Sequence, residues 1–287
     1  HDFYGDYHAI GADRPRCKES MVFSTQSTHK LLAGLSQASQ ILVQNSEGRE
    51  LDRSVFNEAY LMHTSTSPQY AIIASCDVAA AMMEAPAGTA LVEESIAEAL
   101  DFRRAMRKVD EEWGSDWWFK VWGPDDLSEE GIEERDAWML KPGERWHGFG
   151  QLSDGFNMLD PIKATIITPG LDVDGDFAEN FGIPAAIVTK YLAEHGVIVE
   201  KCGLYSFFIM FTIGITKGRW NTMVTELQQF KDDYDKNQPL WKVLPDFVAK
   251  NPIYERIGLK DLCHLLHGVY AFIVEERLTT EMYLSDM

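Results

Sequence analysis

Basic residues are scarce in this 287-residue sequence: 26 Lys and Arg stand against 45 Asp and Glu, a formal net charge of −19 with an isoelectric point near 4.7. That balance excludes a phosphate-backbone binder, which needs a basic stripe. An acidic surface keeps a protein soluble and attracts cationic small molecules, and an ordinary acidic cytosolic protein accounts for it equally well. Cysteine is also sparse. Cys17, Cys76, Cys202 and Cys263 lie far apart without a C-x-x-C pair, so the chain reads as a reduced, cytoplasmic protein rather than a disulfide scaffold. Cys263, His264 and His267 fall close together, but zinc needs a second ligand cluster, which the spacing does not offer. No apolar run reaches the ~18 residues of a membrane span. The longest, Leu204 to Ile215, reads as a buried strand. Repeats, low-complexity segments, a signal-peptide pattern and an initiator Met are all missing, and the opening His1-Asp2-Phe3-Tyr4 suggests a start inside a longer protein.

What is present is 45% hydrophobic content, enough for a sizeable core. Ser20 to Thr25 reads as a short buried strand ending in a polar turn with Lys30 at its mouth, and Ile41 to Gln44 as a second strand. Helices are expected from about Val55, capped by Ser54; over Tyr70 to Met83; and from Thr89 to about Val109, where Leu91, Ile96, Leu100 and Met106 recur at helical spacing. Glu111 to Gly155, rich in Trp, Asp, Glu, Gly and Pro, has the composition of a connector. Beyond it come a strand at 164–168, a helix at 184–194, strands at 197–200 and 206–213, and a helix at 219–234. That β-α-β-β-α order implies an α/β or α+β unit. The last fifty residues read as mainly helical.

The chemistry centres on Ser24-Thr25-Gln26-Ser27-Thr28-His29-Lys30. Hydroxyls in a turn suit a phosphate. A lysine desolvated beside them has a lowered pKa and a nucleophilic amine. This reading requires the ε-amino group of Lys30 to be buried, and most such turns are simply solvated surface. Longer blocks sharpen it: S-T-H-K-L-L-A-G-L-S-Q-A-S (27–39), F-N-E-A-Y-L-M-H-T-S-T-S-P (56–68), M-L-D-P-I-K (158–163), F-G-I-P-A-A-I-V (181–188), H-G-V-I-V-E-K (195–201), F-T-I-G-I-T-K-G-R-W (211–220) and I-G-L-K-D-L (257–262). In order and spacing these resemble the prokaryotic ornithine/lysine/arginine decarboxylase family.

The resemblance implies a pyridoxal-phosphate (PLP) enzyme of fold type I, an α/β chain with an aminotransferase-like large domain and a smaller α/β domain. Residues 1–112 would be the end of the large domain, 113–235 a linker and the small domain, and 236–287 the beginning of a helical C-terminal domain. Carried over by position, Lys30 is the lysine that binds the cofactor's aldehyde. Ser27 and His29 contact its phosphate, and Thr66 and Ser67 approach that phosphate across a dimer interface. Glu200 receives the distal cationic group of a basic amino-acid substrate. Duller readings stand beside these: His29 as a strand-end cap, Thr66 and Ser67 as a helix cap before Pro68, and Glu200-Lys201 as a solvated strand end. Tyr205 and Trp113, Trp117, Trp118, Trp122 and Trp138 read as packing residues. Leu171 to Asp176 is a poor calcium loop, its Gly falling too early.

Further implications are decarboxylation to a diamine or agmatine, with lysine favoured because V-E-K precedes Cys202 and Gly203. Homodimers or higher homo-oligomers follow, with a place in polyamine supply or acid resistance and no nucleic-acid or membrane partner. One departure stands out. The family's pyridine-pairing aspartate, ring-stacking histidine and phosphate loop precede the active lysine, and here only 29 residues do. A closing P-Y-P-P-G-I-P block is likewise missing. The expectation is an incomplete chain that does not turn over alone, the alternative being an inactive assembly or regulatory homologue.

Overall fold

The computed structural model describes residues 19–278 except 125–126, 128–130, 153–156, 172–175 and 179. Cys17 and most of the calcium-like stretch therefore lie outside the described residues. The chain divides into two compact units, residues 1–94 with 212–214, and residues 95–211 with 215–287.

In the first unit, β1 (Val22–Gln26) pairs antiparallel with β2 (Gln40–Gln44), Val22 facing Gln44 and Gln26 facing Gln40. Between them runs one helical turn, α1 (Thr28–Leu31), and a tight loop. Then come α2 (Arg53–His63) and α3 (Tyr70–Met82). Helix α2 starts where its donors are satisfied: the Asp52 carboxylate accepts from the backbone N–H of Ser54 and Val55 at 2.9 and 3.1 Å, so Asp52 rather than Ser54 is the cap. The expected buried strand is not buried. Every β1 residue is exposed, Phe23 meeting the ring of Phe56 at 6.3 Å, because a two-stranded ribbon leaves whole faces bare unless another layer covers them.

The second unit begins within α4 (Ala87–Trp113), which starts two residues ahead of the expected Thr89. Ala99, Phe102, Met106 and Val109 recur every three to four residues and are buried in the second unit's core. For that reason the division falls at residue 94 and not near 112. The core's other wall is a four-stranded antiparallel sheet in the order β3 (Lys120–Val121), β4 (Lys163–Ile167), β6 (Ser206–Met210), β5 (Lys201–Cys202). Along β4, Ala164 and Ile166 point inward as period-two alternation requires. Helices α5 (Ala185–Glu194) and α6 (Trp220–Asp235) supply Val188, Leu192, Leu227 and Phe230. The fifth strand was expected at 197–200. Instead Gly196, at φ +82°, turns the chain so that Val197 N–H bonds back to Leu192, and pairing begins at Lys201.

The Trp-rich stretch 111–155 is not a solvated connector. Trp117, Phe119, Trp138 and Trp146 are buried, and the indole N–H groups of Trp117 and Trp138 bond to the carbonyls of Phe119 and Ile132. Trp117 and Phe119 belong to the same core as the sheet. The C-terminal part comprises α7 (Leu240–Val243), α8 (Pro245–Lys250) and α9 (Leu259–Leu278). Both Glu194 oxygens accept from the first N–H groups of α8, at 3.0 Å from Asp246 and 2.8 Å from Phe247. Leu240, Val243, Leu259 and Cys263 complete the core, so residues 236–272 pack with the sheet rather than apart from it. Among the described residues, no single helix is long and apolar enough to cross a membrane.

Candidate functional site

The hydroxyl- and lysine-bearing turn is α1 itself. Ser27 occupies its N-cap with φ −90° and ψ 86° and no side-chain capping bond, and Lys30 N–H donates to Ser27 C=O at 3.1 Å. The following loop is folded back by small residues. A Cβ on Gly34 would lie 3.1 Å from Ala38 Cβ and 3.3 Å from His29 N. That closeness lets Ala38 C=O accept both the backbone N–H of His29 at 3.2 Å and its ring Nδ1–H at 2.9 Å. Because the acceptor is a carbonyl, the proton is on Nδ1, which leaves Nε2 as the free ring nitrogen. The strand-end role considered for His29 is thus replaced by a loop clasp.

Ser27, His29 and Lys30 therefore share one turn. Lys30 is exposed, however, its side chain making no hydrogen bond or ion pair among the described residues, and this corrects the expectation of a buried amine. The two-stranded ribbon and α1 provide no layer over it, so nothing in the described chain desolvates the ammonium group.

Thr66 and Ser67 lie between α2 and α3, both exposed. Ser67 N–H donates to Ser65 Oγ at 3.2 Å. The helix-cap alternative for them does not hold, since α3 has Gln69 at its N-cap and no side-chain capping bond. Glu200 belongs to the second unit. Its N–H pairs with Phe208 C=O at 2.9 Å just before β5, and its side chain is exposed, the geometry of a solvated strand end. The sequence's zinc-like trio is committed otherwise. Cys263 is buried, His264 Nε2 meets Tyr234 OH at 3.2 Å and His267 Nδ1 meets Tyr205 OH at 2.6 Å. Among the described residues no cluster of three metal-ligating side chains occurs.

Sequence reading missed a groove of about 900 Å³ in the second unit, walled by α4, the β3 edge and the segments after β4. The available signal was a pair of arginines, Arg103 and Arg107, four residues apart on a helix facing a tryptophan-dense stretch.

Comparison with known proteins gives the frame for these positions. The family "Orn/Lys/Arg decarboxylase, major domain" matches residues 1–219. The chain is 48% identical over 287 residues to lysine decarboxylase LdcA of Pseudomonas aeruginosa, covering 99% of this chain and 38% of that protein. It is 40% identical over 277 residues to the biodegradative arginine decarboxylase of Escherichia coli, covering 90% and 36%. The solved lysine decarboxylase A from Pseudomonas aeruginosa superposes with a TM-score of 0.84 at 47% identity, over 98% of this chain and 38% of that one. The chain spans little more than a third of the length of the relatives it matches. It belongs to the Orn/Lys/Arg decarboxylase family.

Proposed function

We propose that this chain is part of a PLP-dependent decarboxylase of a basic amino acid, with lysine favoured over ornithine or arginine. The observation that carries the reading is the continuous family match across the Lys30 block; lysine is favoured on one relative at 48% identity, other lysine enzymes standing at 40%, level with an arginine enzyme. In this reading the first unit is the end of a PLP-binding large domain. The small domain, expected over 113–235, then takes in the end of α4 as well and lies in the second unit up to residue 235, and the helices from α7 onward, which share its core, open the C-terminal part. The assembly is a cytoplasmic homodimer or higher homo-oligomer.

The donor set on α1 fits the cofactor's two reactive ends. Ser27 offers an uncommitted hydroxyl to a phosphate and Lys30 a primary amine one turn on, while His29, the third residue of the turn, has its Nδ1–H committed to Ala38 C=O and would donate to the phosphate only with a second proton on Nε2. Thr66 and Ser67 add hydroxyls to the phosphate end. When bound, PLP supplies an electron sink for the pair left by the departing carboxylate. The protein's share is to hold and orient. Lys30 keeps the cofactor in place and can return a proton to the substrate carbon, and Glu200 pairs with the substrate's distal ammonium. Each decarboxylation consumes one proton, which suits a role in acid resistance or polyamine supply.

The exposure of Lys30 favours the further proposal that these 287 residues do not bind PLP tightly by themselves. Borohydride reduction of the purified chain with PLP, followed by peptide mapping, should leave Lys30 essentially unmodified, and stoichiometric labelling with carbon dioxide release overturns that point. The same exposure gives the second reading, an inactive assembly homologue, its one supporting observation. Lys30→Ala in the longer polypeptide separates the two. Loss of decarboxylation with the oligomer intact supports the enzyme, and unchanged activity sinks it.

A further inference from the structure

None of the residues assigned above to cofactor or substrate lines the second unit's groove, and its chemistry is of another kind. Its described lining carries four cationic side chains, Arg103, Arg107, Lys120 and Arg145, against two carboxylates, Asp110 and Asp176. In a chain of net charge −19, two arginines on one helical face of a concavity are a specific means of holding an anion.

Two of these cations bear most of the argument. Arg103 is 5% exposed, donating from Nη1 to Trp122 C=O at 3.2 Å and from Nη2 to Lys163 C=O at 3.1 Å, with its guanidinium 4.8 Å above the Trp138 ring. Its Nε–H is buried without a partner. Carbonyls and a ring orient the group but do not neutralise it, and a buried charge without a direct counter-ion is costly. Burial lowers its pKa to about 10, a shift offset in part by the field of Asp160. Arg107, one helical turn along the same face, is half-buried, and its side chain makes no hydrogen bond or ion pair among the described residues. By contrast Lys120 has Asp110 at 3.9 Å.

Beside the arginines the lining is aromatic and tied by hydrogen bonds. Trp122 and Trp146 meet edge to face at 5.0 Å, and Trp122 Nε1–H donates to Trp146 C=O at 2.6 Å. A rigid indole pair offers a planar group a surface at little entropic cost. The groove's size lies within the ~300–1,000 Å³ range of small-molecule sites.

We propose that this groove binds a small aromatic oxyanion, a planar ring bearing a carboxylate or phosphate group. Arg107, backed by Arg103, takes the oxyanion through the bidentate geometry that guanidinium shares with both groups, and the Trp122–Trp146 wall takes the ring. The site stands whether or not the decarboxylase reading does.

Calorimetric titration of the purified protein with phenyl phosphate, benzoate and inorganic phosphate tests it. Saturable one-to-one binding is expected for phenyl phosphate or benzoate, and the tighter of the two identifies the oxyanion. Inorganic phosphate should bind at least about tenfold more weakly. Arg107→Ala should weaken the aromatic ligand by about tenfold or more and Arg107→Lys by less, with unchanged melting curves establishing that both remain folded. Lys30→Ala should leave binding unaltered, which separates this groove from the proposed cofactor turn. The proposal is overturned by absence of saturable binding at millimolar ligand, by inorganic phosphate binding as well as the aromatic anions, by undiminished affinity in Arg107→Ala, or by loss of binding in Lys30→Ala.

Discussion

Tyr205 donates its hydroxyl proton to Nδ1 of His267 across 2.6 Å, joining the start of β6 to α9 over 62 residues of sequence. The tautomer follows from the other ring nitrogen: Nε2 lies 2.7 Å from Ala178 C=O, which can only accept, so Nε2 bears the proton and Nδ1 is bare. Phe177 stacks on the imidazole at 4.8 Å and 9°. Two glycines make the space. A Cβ on Gly182 would fall 2.1 Å from His267 Nδ1, and one on Gly170, at φ +132°, would fall 2.2 Å from Tyr205 Cε1.

Gly182→Ala should therefore destabilise the second unit by about 1–3 kcal/mol, the usual cost of overpacking. Combining it with His267→Ala, which removes the obstructing ring, should give a loss smaller than the sum of the two single losses. Denaturant titration measures both. Strictly additive effects would mean that the glycine does not make room for the imidazole.

Several proton-bearing groups in this unit are raised in pKa by burial: Tyr191, Tyr205, Tyr234, Tyr270 and Cys263, with Asp233 adding to the effect on Tyr191 through a 2.9 Å hydrogen bond. The folded state holds these protons longer than the unfolded chain does. Stability from them is complete below the unfolded values, 9.0 for the thiol and 10.0 for the phenols, and declines as pH rises beyond, because the unfolded state then binds fewer protons. Melting temperature should be nearly level between pH 7 and about pH 9 and fall steeply above it. Tyr191→Phe should shallow that fall. A level profile to pH 11 contradicts the assignment.

Local patterning made much of this fold legible. The helix at 185–194 and the strands at 163–167 and 206–210 follow from apolar spacing, since their side chains face one core. The stretch 111–155 was misread because its Gly, Pro and acidic content is that of a loop, whereas its indoles bury themselves and spend their N–H groups on nearby carbonyls. Lys30 teaches the converse. The residues that form its turn could be read from sequence, but burial is a property of what covers a turn, which no local pattern specifies. The groove was invisible for a related reason: it joins α4 to segments some twenty to seventy residues away.

Thiol chemistry distinguishes two cysteines of the second unit. Cys202 is exposed, its Sγ near Thr189 Oγ1 at 3.5 Å, while Cys263 is fully buried with its thiol held protonated by desolvation. Under native conditions at pH 8, a maleimide should label Cys202 within minutes and leave Cys263 unmodified until denaturant is added. Mass spectrometry of the labelled peptides checks this. Comparable labelling of both in the native protein would mean that α9 opens freely.

Glu98 Oε2 accepts from Gly218 N–H at 2.7 Å and from Trp220 Nε1–H at 2.9 Å, and the residue is buried. Glu98→Ala strands two half-buried donors and should cost about 1–3 kcal/mol. Glu98→Gln retains an oxygen acceptor and should cost about half as much. Chemical denaturation should rank the two variants in that order. Equal losses would show that charge, and not acceptance, is what α4 contributes there.

Glu200 offers the closest test of substrate choice in the decarboxylase reading. Its side chain stands in solvent beside a two-residue edge strand, so its replacement should leave folding intact, surface changes of this kind usually staying within about 0.5 kcal/mol. If it receives the distal ammonium of lysine, that contact is the same in the ground and transition states, and its loss raises KM while sparing kcat. Glu200→Gln in the longer polypeptide should thus raise KM for lysine by about tenfold or more, the worth of one charge-assisted hydrogen bond. A substrate lacking the distal amine, such as norleucine, should be unaffected by the change. An unaltered KM for lysine would return Glu200 to the role its exposure first suggests, a solvated carboxylate at the end of a strand.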